Sequence, residues 1–170
     1  MRTAGDVNGD GYDDVMVGAF YAGPGGDSAA GETYVIFGSG SGFAAGLDLS
    51  TLDGSNGFRL DGIDASDHSG RSVSTAGDVN GDGYADILVG AFGADSAAGE
   101  TYVIFGSGSG FAASLDLSTL DGSNGFRLDG IDVDDYSGVS VSTAGDVNGD
   151  GYDDVLVGAF YADPGGDSAA

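Results

Sequence analysis

A nine-residue acidic segment occurs three times in this chain, and it limits the possible folds more than any other feature. It reads Asp-Val-Asn-Gly-Asp-Gly-Tyr-x-Asp, and the copies begin at Asp6, Asp78 and Asp146. Around it, the longer segment 31–64 recurs at 99–132 with one change, Gly46 against Ser114. Such self-similarity is typical of an array whose units pack against their neighbours. We therefore expect residues 1–170 to form one repeat array.

The spacing of the copies divides the array into three units. The units are residues 1–68, 69–136 and 137–170. We expect the first unit to lack its first strand and the third unit to be partial. The copies start 72 and 68 residues apart (78 − 6 and 146 − 78), and the four extra residues fall within 21–27. An insertion at one place in a repeat predicts a surface loop there.

Short apolar runs bounded by Gly, Asp and Ser predict strands rather than helices. In the complete copy we expect strands at Ser72–Ala76, Ile87–Phe92, Thr101–Phe105 and Phe126–Ile131. The second and third are continuously apolar, which indicates a sheet covered on both faces. This pattern predicts an all-β fold of stacked, four-stranded antiparallel blades, a β-propeller-like array of about two and a third blades. A β-sandwich with a duplicated half is the alternative.

The charge of the chain excludes some partners and favours others. There are 28 acidic residues against four arginines and no lysine, and the formal net charge is -24. Nucleic acid binding requires clustered basic residues, so nucleic acid is excluded, and the same argument disfavours an anionic membrane surface. With 41% hydrophobic residues the chain should nevertheless fold. A tightly held divalent cation is the expected counter-ion.

The acidic segment has the composition of a calcium loop. Ca²⁺ takes six to eight oxygen ligands, which a chain supplies from acidic residues at alternate positions with Gly where the loop turns. In the second copy, side-chain oxygens would come from Asp78, Asn80 and Asp82, at loop positions 1, 3 and 5. The backbone carbonyl of Tyr84 at position 7 and the closing carboxylate of Asp86 at position 9 would complete the set.

The same assignment applies to the other two copies, so one Ca²⁺ per loop and three sites in all are expected. The equivalent ligands are Asp6, Asn8, Asp10, Tyr12 and Asp14 in the first copy, and Asp146, Asn148, Asp150, Tyr152 and Asp154 in the third. The loop closes at position 9 and no helix is predicted after it, so it is not an EF-hand. A merely solvated acidic turn is the competing interpretation.

Residues 69–92, from Ser-Gly-Arg-Ser through the acidic loop to Gly-Ala-Phe, resemble the FG-GAP repeat of integrin α-subunit propellers and their bacterial relatives. The resemblance implies one four-stranded blade of a seven-bladed propeller per repeat, with the calcium loop joining its first two strands. Ser72–Ala76 would then be the innermost strand. Two departures are visible: Ser69-Gly70 stands where the family has Phe-Gly, and Gly-Ala-Phe at 90–92 replaces Gly-Ala-Pro.

These features predict a calcium-stabilised extracellular scaffold, or an adhesion or assembly module, that is not an enzyme. His68 is the only histidine, and no nucleophile elbow or zinc-protease motif occurs. Two alternatives stay open: a self-assembling structural repeat protein, forming a multi-chain propeller or a filament, and a non-catalytic part of a secreted hydrolase.

The expected partners follow from the same features. They are other copies of the chain or further repeats of a longer chain, and a protein or glycan ligand, with no nucleic acid and no membrane insertion. Residues 1–14 contain no apolar stretch that would act as a signal peptide, and there is no cysteine. The expected location is extracellular or at the cell surface.

Overall fold

The computed structural model describes residues 1–163, so the end of the third repeat unit, 164–170, lies outside the described residues. The described part is built from short strands, which confirms the all-β prediction. The strands are β1 Arg2–Gly5, β2 Asp14–Ala19, β3 Glu32–Ile36, β4 Gly57–Asp61, β5 Ser72–Gly77, β6 Asp86–Ala91, β7 Glu100–Ile104, β8 Ser114–Asp116, β9 Gly125–Asp129, β10 Ser140–Gly145 and β11 Asp154–Gly158. Single helical turns lie at Pro24–Gly26, Leu49–Thr51, Ala94–Ala97 and Leu117–Thr119.

The strands form three sheets that correspond to the repeats, and all neighbouring strands are antiparallel except β8, which is parallel to β4. The first sheet has the order β1-β2-β3-β4 with β8 added at its edge, the second has the order β5-β6-β7-β9, and the third is the pair β10-β11. Each of the first two sheets is therefore a four-stranded blade, and the third contains the inner half of a blade. This arrangement confirms the incomplete β-propeller-like array.

The bounds of the strands differ slightly from those predicted. β6, β7 and β9 each begin one residue earlier than the apolar runs at 87–92, 101–105 and 126–131, and each also ends earlier. The reason is the hydrogen-bond ladder, which includes the residue before each run: Asp86, Glu100 and Gly125. Asp86 pairs with Gly77, and Glu100 pairs with Ala91. An apolar run in the sequence indicates which residues are buried, whereas the bounds of a strand are set by which backbone groups pair.

The first repeat does not lack its first strand, so that part of the prediction is wrong. β1 is present in shortened form and pairs with β2, with Thr3 opposite Val15. Its Thr-Ala-Gly matches the end of β5, and Ala4 is fully buried like its counterpart Ala76. Because β2 offers an edge for backbone hydrogen bonding, four residues are enough to form the pair.

The blades stack face to face, and their cores lie between them. All residues of β6 and β7 are buried, as their continuous apolar sequence predicts. One face contributes Ile87 and Val89 to a core shared with blade one, while Leu88 and Val103 on the other face pack against strands of blade three. Each blade thus needs neighbours on both sides to bury its apolar residues.

Glycines set the closest approach between neighbouring blades. Between blades one and two, a Cβ added to Gly18 would lie 2.0 Å from the Gly70 carbonyl oxygen. A Cβ added to Gly90 would lie 2.0 Å from the Gly138 carbonyl oxygen. The Ser-Gly and Gly-Ala-Phe segments depart from the family pattern, but both keep their glycine. The glycine of Gly-Ala-Phe in one blade lies against the glycine of Ser-Gly in the next.

The phenyl rings of the three Gly-Ala-Phe motifs form an aromatic row across the blades. His68 stacks on Phe92 with centroids 5.2 Å apart and lies edge-on to Phe20, and Tyr136 follows between Phe92 and Phe160. His68 is half-buried in this row, and its Nδ1 lies 3.3 Å from the Phe20 carbonyl oxygen. Its contacts are those of a packing residue between blades.

A segment of the second repeat crosses to the first blade. β8 pairs in parallel with β4, and the Phe111 ring stacks on Phe58 with centroids 4.2 Å apart. The matching segment of the first repeat, which differs only in having Gly46 in place of Ser114, leaves Phe43 66% exposed. Equivalent residues therefore have different surroundings, because within residues 1–163 only the second copy has a preceding blade beside it.

Among residues 1–163, helices of the length and apolarity needed to cross a membrane are absent.

We expect Gly90→Ala to lower the free energy of unfolding by roughly 2–3 kcal/mol, because the new methyl group meets backbone atoms of the next blade. Gly46→Ala is the matched control: nothing lies within 4 Å of a Cβ there, and the other repeat has Ser at this position. Urea unfolding of both variants measures the difference. Equal stabilities would contradict the close blade contact.

Candidate metal centre

Each acidic loop joins the two inner strands of its blade, as the family resemblance implies. The second loop, residues 78–86, connects β5 to β6 and follows a bulge at Gly77, whose φ is 79°. The Gly77 amide donates to the Thr75 hydroxyl at 3.1 Å, which fixes the turn into the loop. The loops between β1 and β2 and between β10 and β11 occupy the same place in their blades.

Asp78, at loop position 1, organises the first half of the second loop. Its Oδ1 accepts from the amides of Gly81 at 2.7 Å and Asp82 at 3.1 Å, and its Oδ2 accepts from Gly83 at 2.9 Å. Gly81 and Gly83 have φ of 75° and 89°, a region that favours glycine. The two glycines therefore let the backbone curl around the carboxylate.

The side chains at positions 3 and 5 lie next to each other. Asn80 Oδ1 accepts from the Asp82 amide at 2.8 Å, and Asn80 Nδ2 donates to Asp82 Oδ2 at 2.9 Å. Asp82 Oδ1 accepts from the Tyr84 amide at 2.9 Å. The side-chain oxygens of positions 1, 3 and 5 thus accept hydrogen bonds from amides of one exposed loop.

The closing residue Asp86, at position 9, is fully buried. Its Oδ2 accepts from the Val79 amide and its Oδ1 from the Gly106 amide, both at 2.9 Å. Burial raises the pKa of Asp86 to about 6, against the lowering effect of these two hydrogen bonds. Burial likewise raises the pKa of Asp14, its counterpart in the first loop.

The first and third loops repeat the hydrogen bonds of positions 1, 3 and 5, and all fifteen predicted ligand residues lie in the three loops. The closing residue of the third loop, Asp154, is only half-buried. Asp6 Oδ1 accepts from Gly9 at 2.8 Å, and Asp146 Oδ1 accepts from Gly149 at 2.6 Å. The pair at positions 3 and 5 is kept as well, with Asn148 donating to Asp150 at 3.0 Å. The loop fold is therefore a property of the nine-residue sequence and not of one location.

The donor set is chemically suited to a hard cation, although the carboxylates do not converge. Among residues 1–163, no group of three or more Asp, Glu or His side chains is arranged so that it could hold a metal ion. In the structure the loop oxygens accept hydrogen bonds from the loop's own amides instead. A carboxylate has about four acceptor sites, so Asp78, with three donors, keeps capacity for a further partner.

Neighbouring loops also contact each other, which the sequence analysis did not predict. The Ala85 amide of loop two donates to the Asp6 carbonyl of loop one at 3.0 Å, and the Asp153 amide of loop three donates to the Asp78 carbonyl at 3.1 Å. Position 8 was overlooked because it varies between Asp and Ala. Gly106, the donor to Asp86, was also missed, although Phe-Gly-Ser recurs at 37–39 and 105–107.

Comparison with known proteins agrees with the loop geometry. The profile of the FG-GAP repeat family matches residues 3–36, 69–104 and 137–170, together more than half of the chain. Each match spans an acidic loop and the strands on either side of it.

Several characterised proteins are similar to nearly the whole chain. Integrin alpha-4 of Xenopus laevis is 29% identical over 161 residues, covering 94% of this chain and 14% of that protein. Phosphatidylinositol-glycan-specific phospholipase D of Bos taurus is 34% identical over 170 residues, covering 96% and 19%. Integrin alpha-PS2 of Drosophila melanogaster is 31% identical over 163 residues, covering 93% and 11%. The chain thus spans less than a fifth of the length of these relatives.

Asp86→Ala should destabilise the protein by roughly 2–5 kcal/mol even in the presence of a chelator, because the amides of Val79 and Gly106 lose their acceptor. Asp154→Ala is the matched control, since this residue is only half-buried and accepts from Val147. We expect it to cost less than half as much in urea unfolding. A larger loss for Asp154→Ala would overturn the structural role of Asp86.

Proposed function

Because the chain belongs to the FG-GAP repeat family, we propose that it is a calcium-stabilised, non-catalytic scaffold of the adhesion or assembly type. The observation that carries this proposal is the threefold occurrence of one loop geometry, with every oxygen-bearing residue kept. In a solvated turn, nothing would require Asp, Asn, Asp and Asp at positions 1, 3, 5 and 9 of all three copies.

The residues proposed to hold the ions are those identified from the sequence. In the second loop they are Asp78, Asn80 and Asp82 through side-chain oxygens, Tyr84 through its carbonyl, and Asp86 through its carboxylate, with the equivalent residues in the other loops. A bound Ca²⁺ would supply positive charge that offsets the repulsion within an acidic loop. The Asn80 amide donates to Asp82 at 2.9 Å, and we propose that its Oδ1 turns to the ion.

A structural role for the carboxylates leaves little for a catalytic one. Asp86 accepts from two buried or half-buried amides, and His68 is packed between aromatic rings. The similarity to a phospholipase D covers 19% of that enzyme. We propose that this chain shares with it the repeat only, and that it is not an enzyme.

We further propose an extracellular or cell-surface location. Sites of this kind in extracellular modules have dissociation constants of about 10⁻⁴–10⁻³ M, which suits the calcium levels outside cells. The net charge of -24 also favours a setting in which divalent cations are abundant. A protein or glycan ligand is the partner that an adhesion module would bind.

Millimolar Ca²⁺ should raise the melting temperature on the order of 10 °C, because each ion at ten times its dissociation constant contributes about 1.4 kcal/mol. Mg²⁺ should have a smaller effect, because it requires octahedral geometry and keeps its waters. Thermal unfolding followed by circular dichroism in Ca²⁺, Mg²⁺ and chelator measures both effects.

The control for this experiment uses two triple variants with equal charge changes. Replacing the position-5 residues Asp10, Asp82 and Asp150 by Ala should abolish the calcium-dependent shift. Replacing three exposed aspartates outside the loops, Asp27, Asp64 and Asp132, by Ala should keep it. A calcium shift that survives in the first variant would refute the loop assignment.

A second candidate function, self-association, is favoured by the exposed face of blade three. Leu156 is 60% exposed, whereas Leu88 at the same position of blade two is fully buried by the next blade. Val147 is 73% exposed, whereas its counterpart Val7 is buried. We propose that a further blade, from another copy or from additional repeats, covers this face.

Light scattering coupled to gel filtration should show concentration-dependent mass above that of the monomer for the 170-residue chain. Leu156→Asp should return it to the monomer, because a carboxylate cannot be buried in that contact without a large cost. Ile131→Ser, which removes a side chain that is 89% exposed elsewhere, is the control and should leave association unchanged. Equal effects of the two variants would contradict the assigned face.

A further inference from the structure

One peptide group connects the first and second loops. Its carbonyl belongs to Tyr84, the position-7 ligand proposed for loop two, and its N–H belongs to Ala85. That N–H donates to the carbonyl of Asp6, the position-1 residue of loop one, at 3.0 Å. The orientation of this single peptide plane is therefore shared between two loops.

The same connection joins the second and third loops and carries an additional bond. The Asp153 amide donates to the Asp78 carbonyl at 3.1 Å, and the Asp78 amide donates back to Asp153 Oδ2 at 2.9 Å. At the first junction the residue in the place of Asp153 is Ala85, which has no carboxylate. The second junction is thus held by two reciprocal bonds, one of them to a charged acceptor.

The tyrosine rings at position 7 also pack across the junctions. A Cβ added to Gly9 would lie 2.3 Å from Cε1 of Tyr84, and one added to Gly81 would lie 2.5 Å from Cε1 of Tyr152. The glycine at position 4 of each loop is therefore in direct contact with the ring of the next loop. This glycine lies between the position-3 and position-5 ligands of its own loop.

We propose that neighbouring loops bind calcium cooperatively, with Asp153 as a positioning residue that couples loop two to loop three more strongly than loop one is coupled to loop two. The proposal rests on the calcium function proposed above and describes its regulation. A carbonyl oriented and polarised by a cation makes the N–H of the same peptide a better donor. The bond to the preceding loop then holds its position-1 residue in place before that loop binds.

The coupling can be measured loop by loop. The position-6 amides of Gly11, Gly83 and Gly151 each donate to the position-1 carboxylate of their own loop at 2.9 Å. Their NMR signals therefore report calcium binding to each loop separately. In the wild-type chain we expect Gly83 and Gly151 to titrate together, with a steeper dependence on Ca²⁺ than a single site gives.

Asp153→Ala should separate these two titrations and raise the midpoint of loop two roughly threefold to tenfold, because the Asp78 amide loses its charged acceptor. The chain itself has Ala at position 8 of loop two, so the variant should fold. Asp153→Asn keeps an oxygen acceptor and should retain most of the coupling.

Asp13→Ala is the matched control, because Asp13 occupies position 8 of loop one. The substitution removes the same charge, and within residues 1–163 there is no preceding loop that it could affect. It should leave the midpoint of loop two unchanged. Ala85→Asp is the gain-of-function test and should bring the titration of loop one closer to that of loop two.

Two failures of the experiment are distinguishable. If each loop titrates independently in the wild type, or if Asp13→Ala and Asp153→Ala shift loop two equally, the coupling is refuted while the calcium function stands. If none of the three glycine signals responds to Ca²⁺, the calcium function is refuted, and the coupling falls with it.

Discussion

The buried carboxylate that closes each of the first two loops holds three parts of its blade together. Asp86 accepts from Val79 at the start of its loop and from Gly106 at the end of β7, so one side chain links the loop to two strands. Asp14 does the same with Val7 and Gly38. An ionised carboxylate is costly to bury unless its oxygens are hydrogen-bonded, so the turn at Phe-Gly-Ser has to pass close by. The acidic loop and the apolar core therefore meet at this residue.

Stacking imposes the second constraint, because no blade can cover its own faces. The contact between Gly90 and Gly138 brings backbones together where any side chain would intervene. The consequences are visible where equivalent residues of different repeats have different neighbours. Phe111 stacks on Phe58, whereas Phe43 is 66% exposed, and Leu88 is buried, whereas Leu156 is 60% exposed. Burial in this protein is a property of position in the array.

The stacking also brings the acidic loops into one connected row, since blades that pack face to face place equivalent loops side by side. The hydrogen bonds from Ala85 to Asp6 and from Asp153 to Asp78 are results of that alignment. Loops that carry so much negative charge would repel each other if nothing lay between them. The hydrogen bonds between peptide groups of neighbouring loops connect the row, and the cations proposed above would offset its negative charge.

The sequence alone determined the local structure of this protein. The nine-residue repeat predicted the loops with all their oxygen-bearing side chains, and the continuous apolar runs of β6 and β7 predicted strands buried on both faces, because these features depend on short-range patterns. The sequence-based prediction missed β1, which forms because β2 offers an edge for backbone hydrogen bonding. It also misplaced the ends of β6, β7 and β9, which are set by backbone pairing. Only the tertiary structure decided the burial of Asp86 against Gly106, the crossing of β8 to β4 and the contacts between loops. The contact of Asp86 with Gly106 depends on the pairing of β6 with β7, and the other two depend on residues that stacking brings together from different repeats. Spacing along the chain does not predict these contacts.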